Sequence, residues 1–246
     1  MMTPPWLGDG PIVVGVDGSQ AALNAVRWAA AEALALDASL RLVHAVAAAV
    51  PTGSDVVLDH AEKAAKAIRT SLRVEAAATV GAPGAVLLRE SARAAMVCIG
   101  SRPAQGPPIG CIAKVLAEGA GCPVAIIRTR ADGAPQTDGV VSVVLSDDDD
   151  TDAVLHLAMH EGRLRHATVR QIDQRTDSWV RRYPDVHVEL VAAGTGRQYH
   201  RNDARDTGVG LAVVGRRDAA DLVALTVPGC HPILGYPDCS VLLVRS

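Results

Sequence analysis

The second half of the chain repeats the first, segment by segment and in the same order. Val13-Val14-Gly15-Val16 is answered by Ser142-Val143-Val144-Leu145, and Asp37–Val43 by His166–Ile172. Met96–Gly100 is answered by Leu211–Gly215, and Cys122–Arg128 by Cys239–Arg245. Matches that keep their order argue for one supersecondary unit copied whole. The 246 residues fit two such units, each of about 120 residues, near the usual domain size. The expected boundaries are 1–132 and 139–246. Between them, Arg130 to Gly139 scatters Asp, Gly and Pro and reads as a linker.

Within the first half, strand and helix signals alternate. Ile12–Val16 is a short apolar run, as expected of a strand buried on both faces. Asp17-Gly18-Ser19 breaks it and supplies a cap for a helix from about Gln20 to Leu36. In that helix Ala22, Val26, Ala29, Ala30 and Ala33 share one face, with Gln20, Asn24 and Arg27 opposite. Further strands are expected at Leu40–Ala45, Arg73–Thr79, Met96–Gly100 and Val124–Ile127. Helices are expected at Asp55–Ser71, from Gly81-Ala-Pro-Gly84 to Ala94, and at Gly110–Ala120. Strands separated by helices imply parallel units with right-handed crossovers. The predicted fold is α/β: two tandem doubly wound domains, each a five-stranded parallel sheet flanked by helices.

Composition narrows the function classes. Hydrophobic residues are 49% of the chain, rich in Ala, Val and Leu and without Phe, so cores must pack on small aliphatic side chains. A net charge of −3, with Lys63, Lys66 and Lys114 as the only lysines, argues against a nucleic-acid partner. No apolar run reaches the roughly 18 residues of a membrane span, and Met1–Pro11 lacks the pattern of a signal peptide. Five cysteines without CxxC or His/Cys metal spacing read as reduced thiols, so a cytoplasmic protein is expected.

Val14-Gly-Val-Asp-Gly-Ser19, then Ala25-Val-Arg-Trp-Ala29, Leu42-Val-His-Ala45 and the closing Cys122–Arg128, resemble universal stress protein domains. The resemblance covers residues 11–129, and residues 140–246 more loosely. Tyr183-Pro-Asp-Val186 is similar to a segment of many actinobacterial tandem members. The resemblance implies a non-catalytic stress-response factor, and some members of the family bind ATP. In a 3-2-1-4-5 sheet the chain leaves strands one and four in opposite directions, opening a crevice at their carboxyl ends. Asp17 ends strand one and suits a ribose hydroxyl or a base amine better than a pyrophosphate. Phosphates belong at the helix start Gly110-Cys111, where unpaired N–H groups and the helix dipole favour an anion.

ATP-binding members carry Gly-x2-Gly-x9-Gly-Ser/Thr. Here Gly100 opens that motif and Gly110-Cys111 closes it, but Pro103 replaces the middle glycine and six residues separate it from Gly110. Proline has no N–H and a fixed φ, and a thiol is a weaker donor than a hydroxyl. The candidate site residues are Asp17, Ala45, Gly100, Arg102, Gly110, Cys111 and Ile112. Arg102 can offer a guanidinium to phosphate, against the simpler reading of a solvated loop arginine. In the second half Ser146 replaces Asp17 and no Gly-Ser or Gly-Thr pair follows Gly215, although Arg216 and Arg217 keep positive charge there. Its expected role is architectural.

The remaining signals are weaker. Asp147–Asp150 and Asp152 lie at a helix start, where the dipole accounts for acidic residues without a metal. His156 and His160 share a polar face with Asp152 and Arg163, read as a solvated face because no third ligand is evident. His44 reads as a hydrogen-bonded structural histidine, Ser19 as a cap, and Cys111 as a small residue in a serine's place. No catalytic constellation borders the crevice, so no enzyme and no metal are expected. Two functions stay open. One is a regulator holding ATP or AMP in the first domain. The other is a nucleotide-free interaction module with an unidentified protein partner. Strands Val124–Ile127 and Val241–Val244 should be sheet edges that need cover, so an intramolecular pseudo-dimer is expected, with a homodimer of whole chains also open.

Overall fold

The computed structural model describes residues 8–48, 55–102, 110–143, 151–171, 181–190, 208–215 and 239–244, which fall into two compact units, 1–135 and 136–246. In the first unit strands β1 (Ile12–Val16), β2 (Leu40–Val46), β3 (Val74–Val80), β4 (Met96–Ser101) and β5 (Val124–Arg128) alternate with helices. These are α1 (Gln20–Ala35), α2 (Val56–Ile68), α3 (Pro83–Ser91) and α4 (Cys111–Gly119). Neighbouring strands are all parallel, in the order β3-β2-β1-β4-β5. Helices α1 and α2 pack together, as do α3 and α4. Gly15 of β1 meets Leu87 of α3, while Gly100 of β4 meets the first turn of α1. The two helix pairs therefore cover opposite faces, and the sheet is doubly wound.

Local chemistry sets the helix ends. Ser19 is the N-cap of α1, its Oγ accepting from the Ala22 N–H at 3.2 Å, which settles its role as a cap. Asp55 caps α2, one carboxylate oxygen accepting from Val57 N at 2.9 Å and Leu58 N at 3.3 Å. Its other oxygen lies 2.7 Å from Nδ1 of His44, so His44 is hydrogen-bonded as expected. Asp55→Ala should destabilise the first unit by about 1 kcal/mol, the usual worth of such a cap. Asp55→Asn, which can still cap, should lose less. Urea midpoints of the two variants check this, and equal losses would refute the cap.

In the second unit β6 (Val140–Val143), α5 (Thr151–Arg165), β7 (Val169–Gln171), β8 (Val188–Leu190), β9 (Val209–Val214) and β10 (Ser240–Leu243) repeat the plan. The order is β8-β7-β6-β9-β10, again parallel. The duplication reaches the backbone. Asp37 and His166, which open matched segments, both have φ 52. After each, the next residue reaches back across a helix end: Ala38 N to Ala33 O at 2.8 Å, Ala167 N to Gly162 O at 2.9 Å. Each copy thus ends its helix with the same left-handed turn before entering a strand. Strand β6 begins two residues before the expected Ser142, and Val144 and Leu145 lie outside the described residues.

Three readings of polar surface need correction or completion. Part of the stretch read as a linker is folded onto the first unit. Thr129 and Pro135 form an antiparallel bridge, and Arg130 N donates to Ala134 O at 2.7 Å. Asn24 Nδ2 donates to Thr129 Oγ1 and to Gly133 O, each at 3.0 Å. Asn24 is therefore buried, although helical periodicity places it on the polar face of α1. The face bearing His156 and His160 is likewise not solvated. His160 is buried, and His156 is partly buried with Nδ1 2.6 Å from the Tyr183 hydroxyl. The Tyr183-Pro-Asp segment packs against it: the Arg163 guanidinium lies 4.9 Å from the Tyr183 ring centre and is paired with both oxygens of Asp185. The acidic run Asp147–Asp150 lies outside the described residues, and only Asp152 is seen in the first turn of α5. Among the described residues no helix is long and apolar enough to cross a membrane.

Candidate functional site

Strands β1 and β4 are neighbours, and their connections leave toward opposite faces, α1 after β1 and α4 after β4. A cavity of about 360 Å³ opens at their carboxyl ends. It gathers all seven candidate residues: Asp17 after β1, Ala45 near the end of β2, Gly100 and Arg102 at the end of β4, and Gly110, Cys111 and Ile112 at the start of α4. Residues 103–109, including Pro103, Pro107 and Pro108, lie outside the described residues. Ser146, Arg216 and Arg217, the second unit's counterparts, do too.

The floor of this cleft is apolar, which sequence reading missed. Gly15 pairs in register with Val43 of β2 and Ile99 of β4, so the three point to one face. Val43 and Ile99 line the cavity with Leu87 and Pro83 of α3. A Cβ on Gly15 would lie 2.7 Å from Leu87 Cδ1, so glycine lets α3 close the floor. The signal was legible: strand alternation puts the three residues on one face once the strand order is known.

The polar groups stand around the rim. One Asp17 oxygen accepts from the Ser19 N–H at 3.0 Å. Partial burial pushes the Asp17 carboxyl up. The hydrogen bonds from Ser19 and the Arg102 charge outweigh this and hold it below the usual carboxylate range. Arg102 is exposed, as the simpler reading of a solvated loop arginine expects, and its Nη2 lies 3.7 Å from Asp17 Oδ2. Ser101, beside it, accepts from Arg128 Nη1 at 3.3 Å. At the opposite rim Gly110 is the N-cap of α4 and supplies no side-chain cap. Among the described residues, nothing would lie within 4 Å of a Cβ there. Cys111 is exposed at the first helical position.

Gly100 has a second reason to be glycine. A Cβ would lie 2.2 Å from the backbone carbon and oxygen of Ala21. The close approach of β4 to α1 thus excludes a side chain whatever the cleft holds. Chemically, the described residues of the cleft combine one carboxylate acceptor, one guanidinium, a helix start that none of them caps with a side chain, and an apolar floor.

Residues 10–128 match the family model described as "Universal stress protein family". The whole chain is 34% identical to universal stress protein Rv2624c of Mycobacterium tuberculosis, over 95% of this chain and 96% of that protein. It is 31% identical to universal stress protein Rv3134c of the same organism, over 96% of each. Among solved structures, a universal stress protein from Archaeoglobus fulgidus shares the fold, with a TM-score of 0.64 over 98% of this chain and 97% of that one at 12% identity.

Proposed function

The chain belongs to the universal stress protein family, and from that premise we propose that its first unit binds an adenine nucleotide, ATP or AMP, and serves as a non-catalytic stress-response regulator in the cytoplasm. The observation that carries this reading is the convergence of Asp17 and the start of α4, which no described side chain caps, on one cavity of about 360 Å³. That size falls within the roughly 300–1,000 Å³ of small-molecule sites. The Asp17 carboxylate, ionised at neutral pH, accepts from ribose hydroxyls. The free N–H groups of α4 receive phosphate. The apolar floor of Leu87, Ile99 and Val43 takes the base. The second unit, with Ser146 in place of Asp17, holds no nucleotide and has an architectural role.

A second reading, a nucleotide-free interaction module, draws on Pro103 and the short connection from it to Gly110. Isothermal calorimetry of the full chain with ATP and AMP separates the two. The nucleotide reading expects saturable binding that Asp17→Ala weakens by about tenfold or more, the scale of a lost hydrogen bond to a charged group. Absence of heat at millimolar nucleotide would favour the interaction module, and steady ATP turnover would overturn both.

A further inference from the structure

Asp17 and Arg102 meet at the rim of the first-unit cleft, where both line the cavity. Their side chains are 62% and 75% exposed and separated by 3.7 Å, so the pair is weakly held and easily broken. Among the described residues lining the cleft, Arg102 is the one lysine or arginine. A ligand that takes Asp17 Oδ2 as an acceptor therefore competes with the Arg102 guanidinium for it.

We infer that Arg102 is the phosphate-selecting residue of the cleft, and that its ion pair with Asp17 is exchanged for one with the ligand's phosphate on binding. A neutral nucleoside offers Arg102 nothing in return for Asp17. A phosphorylated ligand satisfies both groups at once, Asp17 with its hydroxyls and Arg102 with its anion. The exchange makes phosphate a condition of tight binding. It also makes affinity fall with salt, because the new contact is an exposed ion pair. For its ligand class the inference rests on the nucleotide reading, but the exchange itself concerns phosphate alone.

A double-mutant cycle on the full chain tests it with inorganic tripolyphosphate as the probe. Arg102→Gln should weaken tripolyphosphate about tenfold, as expected for a charge-assisted contact. Asp17→Asn should tighten it about threefold, because Arg102 is released. In the Arg102→Gln background the gain from Asp17→Asn should shrink to little or nothing. A gain of equal size in both backgrounds would mean simple repulsion by the carboxylate and would overturn the exchange. So would tripolyphosphate that binds no variant. Titrations with ATP and adenosine on the same proteins keep the two readings apart. If ATP binds no better than tripolyphosphate anywhere, nucleoside recognition fails while a positive cycle leaves the exchange standing.

Discussion

Gly100→Ala is expected to destabilise the first unit by about 3 kcal/mol or more, at the upper end for overpacking. The new Cβ would lie 2.2 Å from the carbonyl carbon and oxygen of Ala21 and 2.6 Å from Ala22 N. These are backbone atoms of the first turn of α1, so no side-chain rotation relieves the clash. The helix must move off β4. The cleft should be lost with it, because Ser19, which caps that turn, also holds the Asp17 carboxylate at 3.0 Å. Gly110→Ala supplies the contrast. Its φ of −68 suits alanine and its Cβ meets no described neighbour, so the cost should stay within about 1 kcal/mol. Urea denaturation of both variants checks the difference. Equal midpoints would show that β4 does not approach α1 as closely as described. The pair also separates two meanings of a motif glycine: at position 100 packing demands it, and at position 110 no described neighbour does.

That distinction marks what was legible in the sequence. Periodicity and caps are local, so the strands and helices, the Ser19 cap and the segments flanking the cleft could be read directly. The left-handed turns at Asp37 and His166 lie at matched positions, as a copied unit requires. Burial of polar residues is not local. Asn24 looks solvated by helical spacing and is buried because the turn at 129–135 accepts hydrogen bonds from its amide. Nothing in the residues around Asn24 announces a partner more than a hundred positions away. The cleft was intermediate: its rim residues follow from a motif, whereas its floor needs the register of three strands. The family motif locates Gly100 without revealing that a neighbouring helix, rather than a phosphate, excludes its side chain.

The same failure of local reading on α5 leads to an expected acid weakness in the second unit. Taken as part of a solvated face, His156 should titrate normally. Instead burial strips water from its ring, and the nearby His160 and Arg163 charges add to the cost of protonation, pushing its pKa down from 6.5 to about 4. In the unfolded chain the ring takes a proton near pH 6.5, which the folded unit refuses until about pH 4. The stability that neutral His156 contributes is therefore complete above pH 6.5 and is lost as the pH falls toward about 4. Because the ring is only partly buried, solvent screening limits the loss to about 1–2 kcal/mol. His156→Gln keeps a hydrogen-bonding group for the Tyr183 hydroxyl but cannot titrate, so it should flatten the pH dependence across this window while leaving stability near neutrality little changed. Denaturation midpoints of the full chain at several pH values across the window decide it, with the Tyr183 environment followed by fluorescence. A wild-type slope that persists in the variant would assign the titration to another group, and the docking of Tyr183 on His156 would lose its energetic meaning.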